Sequence, residues 1–156
     1  MLALEAPRIV ALPEPISTNH LFVNLPPRAG GGRGGRVMAP EYKDWRKRAD
    51  EWLMCQRPLP RFAMPVAVTL YAGEVGVGNM DAGNVEKAVV DAIVRAEIIR
   101  DDSRKWLRRL AVVWTPGLRG TLAHLRSAPA DPDLSAILAQ VEQNVRELVC
   151  GCRSPE

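Results

Sequence analysis

Several polar side chains between residues 81 and 102 have the types and spacing needed for phosphate chemistry. The stretch D-A-G-N-V-E-K begins at Asp81 and ends at Lys87. An Asp101-Asp102 pair follows after a number of residues equal to about four helical turns. Clustered carboxylates bind Mg²⁺, which orients water and neutralises charge during phosphodiester cleavage, and a lysine adds positive charge. The same residues also have a plainer interpretation, in which Asp81 caps a helix and Asp101-Asp102 forms a turn.

The segment between these acids has the clearest helical periodicity in the chain. Residues 84–96 are predicted to form a helix with one apolar stripe, made of Val85, Ala88, Val89, Ala92, Ile93 and Ala96. Asn84, Lys87 and Asp91 form a separate polar stripe. Since the helix would span about 20 Å, the acids at its two ends approach each other only if the following connector runs back along a β–α–β unit.

The remaining elements predict an α/β fold in which helices pack on a small mixed sheet. Strands are expected at residues 8–12, 36–39, 65–72 and 107–115, and further helices at 41–55 and 134–149. The predicted order is β–β–α–β–α–β–α. The tract P-P-R-A-G-G-G-R-G-G-R is predicted to be a mobile cationic arm, either a plain linker or a loop that orders on phosphates.

Charge is distributed unevenly along the 156 residues. Segments 28–61 and 95–126 each carry a net charge of +5, and residues 127–156 carry −3. This pattern fits either a polyanion-binding face or a set of solvated basic faces.

Composition also limits the class of protein. The 47% apolar content suffices for one globular core, and no apolar run approaches the roughly 20 residues of a membrane span. We expect no signal peptide and no membrane partner. The three cysteines, Cys55, Cys150 and Cys152, fit reduced thiols in a cytoplasmic protein and form no zinc-ligand pattern.

Residues 81–102 resemble the core of RusA-type Holliday-junction resolvases, which carry D-x-D-N-x-x-K-x-x-x-D-A-L and then an Asp-Asp pair. The matching positions fall in register without a gap: Asp81, Asn84, Lys87, Asp91, Ala92, Asp101 and Asp102. The opening L-P-E-P-I-S-T-N-H is similar to the family's P-x-x-x-S-x-N, and the basic loop G-R-G-G-R-V and the Tyr-containing helix E-Y-K-D-W follow it. The resemblance covers about residues 8–115.

This resemblance implies a homodimeric Mg²⁺-dependent endonuclease, with Mn²⁺ as an alternative ion, that resolves four-way DNA junctions in recombination and repair and is of phage or prophage type. Asp81 and Asp102 match the metal-binding catalytic acids, and Lys87 matches the catalytic lysine. Site-shaping roles are implied for Asn84, Asp91 and Asp101. DNA contacts are expected from Asn19, His20, Arg33 and Arg36. The RusA-like domain is expected at residues 1–117, and residues 118–156 are expected to be an extension whose amphipathic helix packs on the same domain.

Two departures separate the chain from the family pattern. Gly83 stands where the motif has a second metal-ligand Asp, and Met80 stands where a basic residue is common. Glu74 or Asp101 could supply the absent carboxylate, whereas Glu86 lies off the polar stripe. One alternative is therefore a junction-binding relative without efficient cleavage. Another is a nucleic-acid-binding module unrelated to resolvases that binds through its Gly/Arg loop.

Overall fold

The computed structural model describes residues 8–26 and 34–128, which form an α/β fold as predicted. Short 3₁₀ turns lie at Thr18–His20 and Ala82–Asn84. The helices and strands, in chain order, are β1 (Arg8–Leu12), β2 (Phe22–Leu25), β3 (Gly35–Met38), α1 (Pro40–Cys55), β4 (Val66–Gly73), α2 (Glu86–Arg95), β5 (Leu107–Thr115) and β6 (Thr121–Ser127).

Both helices form where the apolar periodicity predicts them. Pro40 occupies the first turn of α1, where its missing N–H removes no helical hydrogen bond. The buried face of α1 consists of Tyr42, Trp45, Ala49 and Leu53. The buried face of α2 consists of Ala88, Val89, Val90, Ala92 and Ile93. These faces, rather than side-chain caps, anchor the helices, because neither N-cap residue makes a side-chain capping bond.

The larger sheet has the strand order β1-β6-β4-β5. Strands β4 and β5 are parallel, and α2 is the crossover between them, while the other pairs are antiparallel. Alternate residues of β4, namely Val66, Val68 and Leu70, join the same buried cluster as the apolar faces of both helices. The helices therefore cover one face of the sheet, and α2 must begin and end close to the β4–β5 pair.

Two strands were not predicted. β2, which was not predicted, pairs with β3, the strand predicted at residues 36–39, and the two form a separate sheet. β6 has the sequence T-L-A-H-L-R-S and lies between β1 and β4. Its strict alternation of buried and less buried residues is a strand signal, but its buried positions include the small residues Thr121, Ala123 and Ser127 rather than a branched apolar run.

Because β6 pairs with β1 and β4, the sheet extends past the predicted boundary at residue 117. The predicted helix at residues 134–149, together with Cys150 and Cys152, lies outside the described residues. Among the helices of residues 8–26 and 34–128, none has both the length and the apolar character needed to cross a membrane.

Candidate functional site

The centre of the candidate site is the ammonium group of Lys87, in the first turn of α2. Lys87 Nζ donates to Asp91 Oδ1 at 2.7 Å and to Asp102 Oδ2 at 3.3 Å. Asp91 lies one turn further along α2, whereas Asp102 comes from the connector that follows the helix. The connector thus runs back beside the start of α2, which is the path required for residues at its two ends to meet.

Tyr42 of α1 holds the second oxygen of Asp91. The Tyr42 hydroxyl donates to Asp91 Oδ2 at 3.3 Å, and the Tyr42 residue is only 3% exposed. Its ring stacks on Trp45, whose indole N–H donates to the carbonyl oxygen of Glu14 at 2.7 Å. The Asp91 carboxylate is therefore oriented by two donors from different helices.

These contacts keep both donors protonated. The hydrogen bond to Asp91 is the main reason that the pKa of Lys87 is raised above its ordinary value of 10.5. Burial, followed by the negative charge of Asp91, raises the pKa of Tyr42 above its ordinary value of 10.0. At neutral pH, Lys87 is a fixed cation held between two carboxylates.

Asn84 connects the motif to the opening segment of the chain. Thr18 Oγ1 donates to Asn84 Oδ1 at 3.2 Å, which links two 3₁₀ turns that lie 66 positions apart in sequence. Ser17 caps the first of these turns by accepting the backbone N–H of Asn19 at 3.3 Å. The S-T-N-H opening is thereby held beside the start of α2, with Asn19 and His20 exposed.

Asp101 shapes the turn that presents Asp102. Asp101 Oδ1 accepts the backbone N–H of Ser103 at 2.6 Å, an Asx-type turn. That hydrogen bond is the main reason that the pKa of Asp101 is lowered from its ordinary value of 3.8. The turn interpretation therefore holds for Asp101, while the neighbouring Asp102 carboxylate remains turned toward Lys87.

Asp81 and Asp102 line different clefts. Asp102 belongs to an open cleft of about 390 Å³, together with Lys87, Asp91, Tyr42 and five other residues of β2, β3, α1 and α2. Asp81 lines a second open cleft of about 480 Å³ with Glu74 and Trp114. The Asp81 side chain makes no capping hydrogen bond, although its backbone carbonyl accepts the N–H of Asn84 at 2.9 Å.

The donor set for Mg²⁺ is therefore small. Across residues 8–26 and 34–128, no three His, Cys, Asp or Glu residues are grouped so that they could hold a metal ion. Gly83 contributes no carboxylate, and Asp102 already contacts Lys87. Mg²⁺ commonly uses only one or two carboxylates and completes its shell with water and substrate phosphates. The structure does not bring Asp81 and Asp102 into one cleft, so these two acids do not form a ready-made metal site within residues 8–26 and 34–128.

Aromatic and basic side chains form the rim of the Lys87 cleft. The Arg36 guanidinium lies 4.5 Å from the centroid of the Phe22 ring, and that ring meets Tyr42 edge-on at 6.1 Å. Arg46 lies 5.9 Å from the centroid of the Tyr42 ring. Arg33, the other loop residue expected to contact DNA, lies outside the described residues.

The sequence indicated Tyr42 as part of the resembling helix E-Y-K-D-W but assigned neither it nor Phe22 and Arg46 to the site. The helical spacing of Tyr42 carries a core signal, and its contact with Asp91 depends on how α1 packs against α2.

No protein-family model matches this chain, and a search of curated proteins finds no match either.

Proposed function

We propose that this chain is a Mg²⁺-dependent endonuclease that hydrolyses phosphodiesters in four-way DNA junctions, in the manner of the RusA-type resolvases that residues 81–102 resemble. The contact between Lys87 and Asp102 is the observation that carries this proposal. In the plainer interpretation Lys87 and the turn that holds Asp102 have no need to meet, whereas a phosphate-cleaving site needs a cation beside a carboxylate.

Each side chain then has a separate role. Lys87 supplies a cation to the oxygen that gains charge as the phosphodiester breaks, because its proton is held firmly by Asp91. Tyr42 fixes Asp91 and so fixes the direction of the ammonium group. Asn84 and Thr18 hold the opening segment against α2. Asp81 and Asp102, which line different clefts, are the residues that would each offer a carboxylate to Mg²⁺, and the ion would supply an activated water and charge neutralisation.

The proposed endonuclease also contacts DNA outside the Lys87 cleft and acts as a homodimer. Arg36 is exposed on the Phe22 ring of the Lys87 cleft, and Asn19 and His20 are exposed in the turn that Thr18 links to Asn84, so all three are available to phosphates. A homodimer would supply two such sites for two strands of a junction, as the resemblance implies. A cytoplasmic location, where cellular or phage DNA is accessible, belongs to the same proposal.

A second candidate function is junction binding with little or no cleavage. The observation that favours it is the absence of a three-acid group from residues 8–26 and 34–128, together with Gly83 in place of a ligand. In that case Lys87 and the rim arginines would bind a phosphate without a metal ion beside it.

A cleavage assay distinguishes the two functions. Wild-type protein is incubated with a synthetic four-way junction in Mg²⁺, in Mn²⁺ and in EDTA, alongside Lys87→Met and Asp102→Asn. The endonuclease predicts metal-dependent nicks that each substitution reduces by about 10²–10³-fold. Asp44→Asn, an exposed acid of α1, is the matched control and should cleave like wild type. Tight junction binding without nicks in either metal would instead support the binding protein.

A further inference from the structure

Five exposed basic side chains follow directly after the candidate site, in a segment to which the resemblance gives no role. We call this surface the basic patch, and it consists of Arg100, Arg104, Lys105, Arg108 and Arg109. The patch brackets Asp102 in sequence and continues into β5, which is an edge strand of the larger sheet. It is therefore continuous with the Lys87 site through a single turn of the chain.

The positive charge of the basic patch is not neutralised within residues 8–26 and 34–128. None of its five members forms an ion pair there, whereas Arg61, Arg95 and Arg119 each pair with an acid. The two acids inside the segment are engaged elsewhere, because Asp101 accepts a backbone N–H and Asp102 contacts Lys87. Such a surface attracts an anionic partner.

The backbone holds the basic patch in a defined shape. Trp106 and Leu107 both donate their N–H groups to the carbonyl of Ser103 at 2.9 Å, and the carbonyl of Trp106 accepts the N–H of Val66 at 2.8 Å. Two cations lie near the Trp106 ring, with Arg100 at 5.2 Å and Lys105 at 5.5 Å from its centroid. These contacts reduce the ordering that a partner would require on binding.

A β-bulge arranges the last two arginines of the patch. Val66 of β4 pairs with Leu107 and Ala67 pairs with Arg109, so that Arg108 has no partner in β4. Neighbouring side chains of a regular strand point to opposite faces, and a bulge redirects them. Here both Arg108 and Arg109 are exposed at the open edge of the described sheet.

We propose that the basic patch binds the sugar-phosphate backbone of a DNA duplex arm and so holds the strand whose phosphate enters the Lys87 cleft. The choice of DNA as the partner rests on the proposed function, whereas the charge, exposure and rigidity of the patch do not. Contacts of this kind position DNA without reading its sequence. An acidic protein surface, or the acidic residues 127–156 of this chain, would be the alternative partner.

The test measures binding to a fluorescent linear duplex and to a four-way junction in EDTA, so that cleavage plays no part. The double variant Arg104→Gln/Lys105→Gln is compared with wild type and with Arg61→Gln/Arg119→Gln, which loses the same charge from paired arginines. Each phosphate contact contributes about 0.9 to the slope of log affinity against log salt. Without two phosphate contacts, the slope of the patch variant should be shallower by about 1.8. Between about 50 and 200 mM salt, the fold-loss in affinity should therefore be about 12 times smaller for the patch variant than for wild type.

Three outcomes separate this inference from the proposed function. A lower slope in the patch variant alone supports the inference, even if the wild-type protein never cuts a junction. An unchanged slope in the patch variant, or an equal loss in the control, overturns the inference while leaving junction cleavage to be judged separately. If wild type binds neither DNA, both the inference and the proposed function are overturned. Binding of a separate peptide of residues 129–156 to the protein would then identify the acidic segment as the partner.

Discussion

Gly83→Asp introduces the carboxylate that the RusA-type motif has and this chain lacks, and the structure has room for it. A Cβ added at Gly83 would meet no heavy atom within 4 Å, and the backbone there is not in the left-handed region. The residue is exposed, so the substitution should change stability by less than about 0.5 kcal/mol without metal. The new carboxylate lies two residues from Asp81 and provides a further oxygen ligand near it.

The expected gain in Mg²⁺ affinity follows from the number of ligands. Changing even a partner of a ligand alters metal affinity about 10–100-fold, and we take the lower value. If the dissociation constant falls from about 10 mM to about 1 mM, then 10 mM Mg²⁺ stabilises the variant by about 1.4 kcal/mol and the wild type by about 0.4 kcal/mol. The difference of about 1 kcal/mol corresponds to a rise of about 2–4 °C in Tm for a chain of this size.

The assay is thermal unfolding with and without Mg²⁺, followed by titration calorimetry with Mn²⁺. Gly35→Asp is the matched control, because Gly35 is also exposed, also lacks close neighbours for a Cβ and lies in β3. An equal Mg²⁺-dependent shift in both variants would show a general charge effect. No shift in Gly83→Asp would refute the reasoning that a carboxylate at this position adds a Mg²⁺ ligand beside Asp81.

Three further predictions follow from the contacts of the site and the sheet. Lys87→Gln removes two half-exposed ion pairs and should lower the free energy of unfolding in urea by about 0.5–1.5 kcal/mol. The exposed control Lys43→Gln should change that free energy by less than about 0.5 kcal/mol. Equal effects of the two substitutions would contradict the ion pairs of Lys87. Because the pKa values of Tyr42 and Lys87 are raised above 10.0 and 10.5, the folded chain holds these protons more tightly than the unfolded chain. The contribution of Tyr42 to stability is complete below pH 10.0 and that of Lys87 below pH 10.5, and each is lost as the pH rises through the raised pKa. Because Asp91 contributes to both shifts, Asp91→Asn should weaken this loss in thermal unfolding followed from neutral pH to above pH 10.5; an unchanged pH profile would count against the contacts. Gly73→Ala would place a Cβ 2.7 Å from a backbone carbonyl oxygen of the loop before β6 and should cost roughly 1–3 kcal/mol in urea unfolding, and a neutral result would contradict the close approach of that loop.

The sequence predicts most of the elements because their signals are local. The apolar stripe of α2 and the branched residues of β4 are readable from neighbouring positions, and the structure confirms both elements with shifts of one or two residues at their ends. β6 was not predicted because its buried positions, Thr121, Ala123, Leu125 and Ser127, are mostly small or polar, and their strand preference depends on the partners β1 and β4.

The candidate site was predictable in composition but not in geometry. The spacing of Lys87 and Asp91 at i and i+4 already places them on one face of a helix. The contact of Asp102 with Lys87 depends on the path of the connector, and that of Tyr42 with Asp91 depends on the packing of α1 on α2. Neither of these two contacts follows from the local spacing of residues, so neither could be predicted from the sequence.

Strand-resolved mapping of cleavage on a four-way junction tests the central claim most directly. Wild-type protein and Asp102→Asn are incubated with end-labelled junctions in Mg²⁺, and a linear duplex of the same sequence is treated in parallel. The account predicts paired nicks in opposing strands of the junction, none in the duplex, and loss of the nicks with Asp102→Asn. Intact strands in the wild-type reaction, or nicks that persist at the same rate in Asp102→Asn, would contradict it.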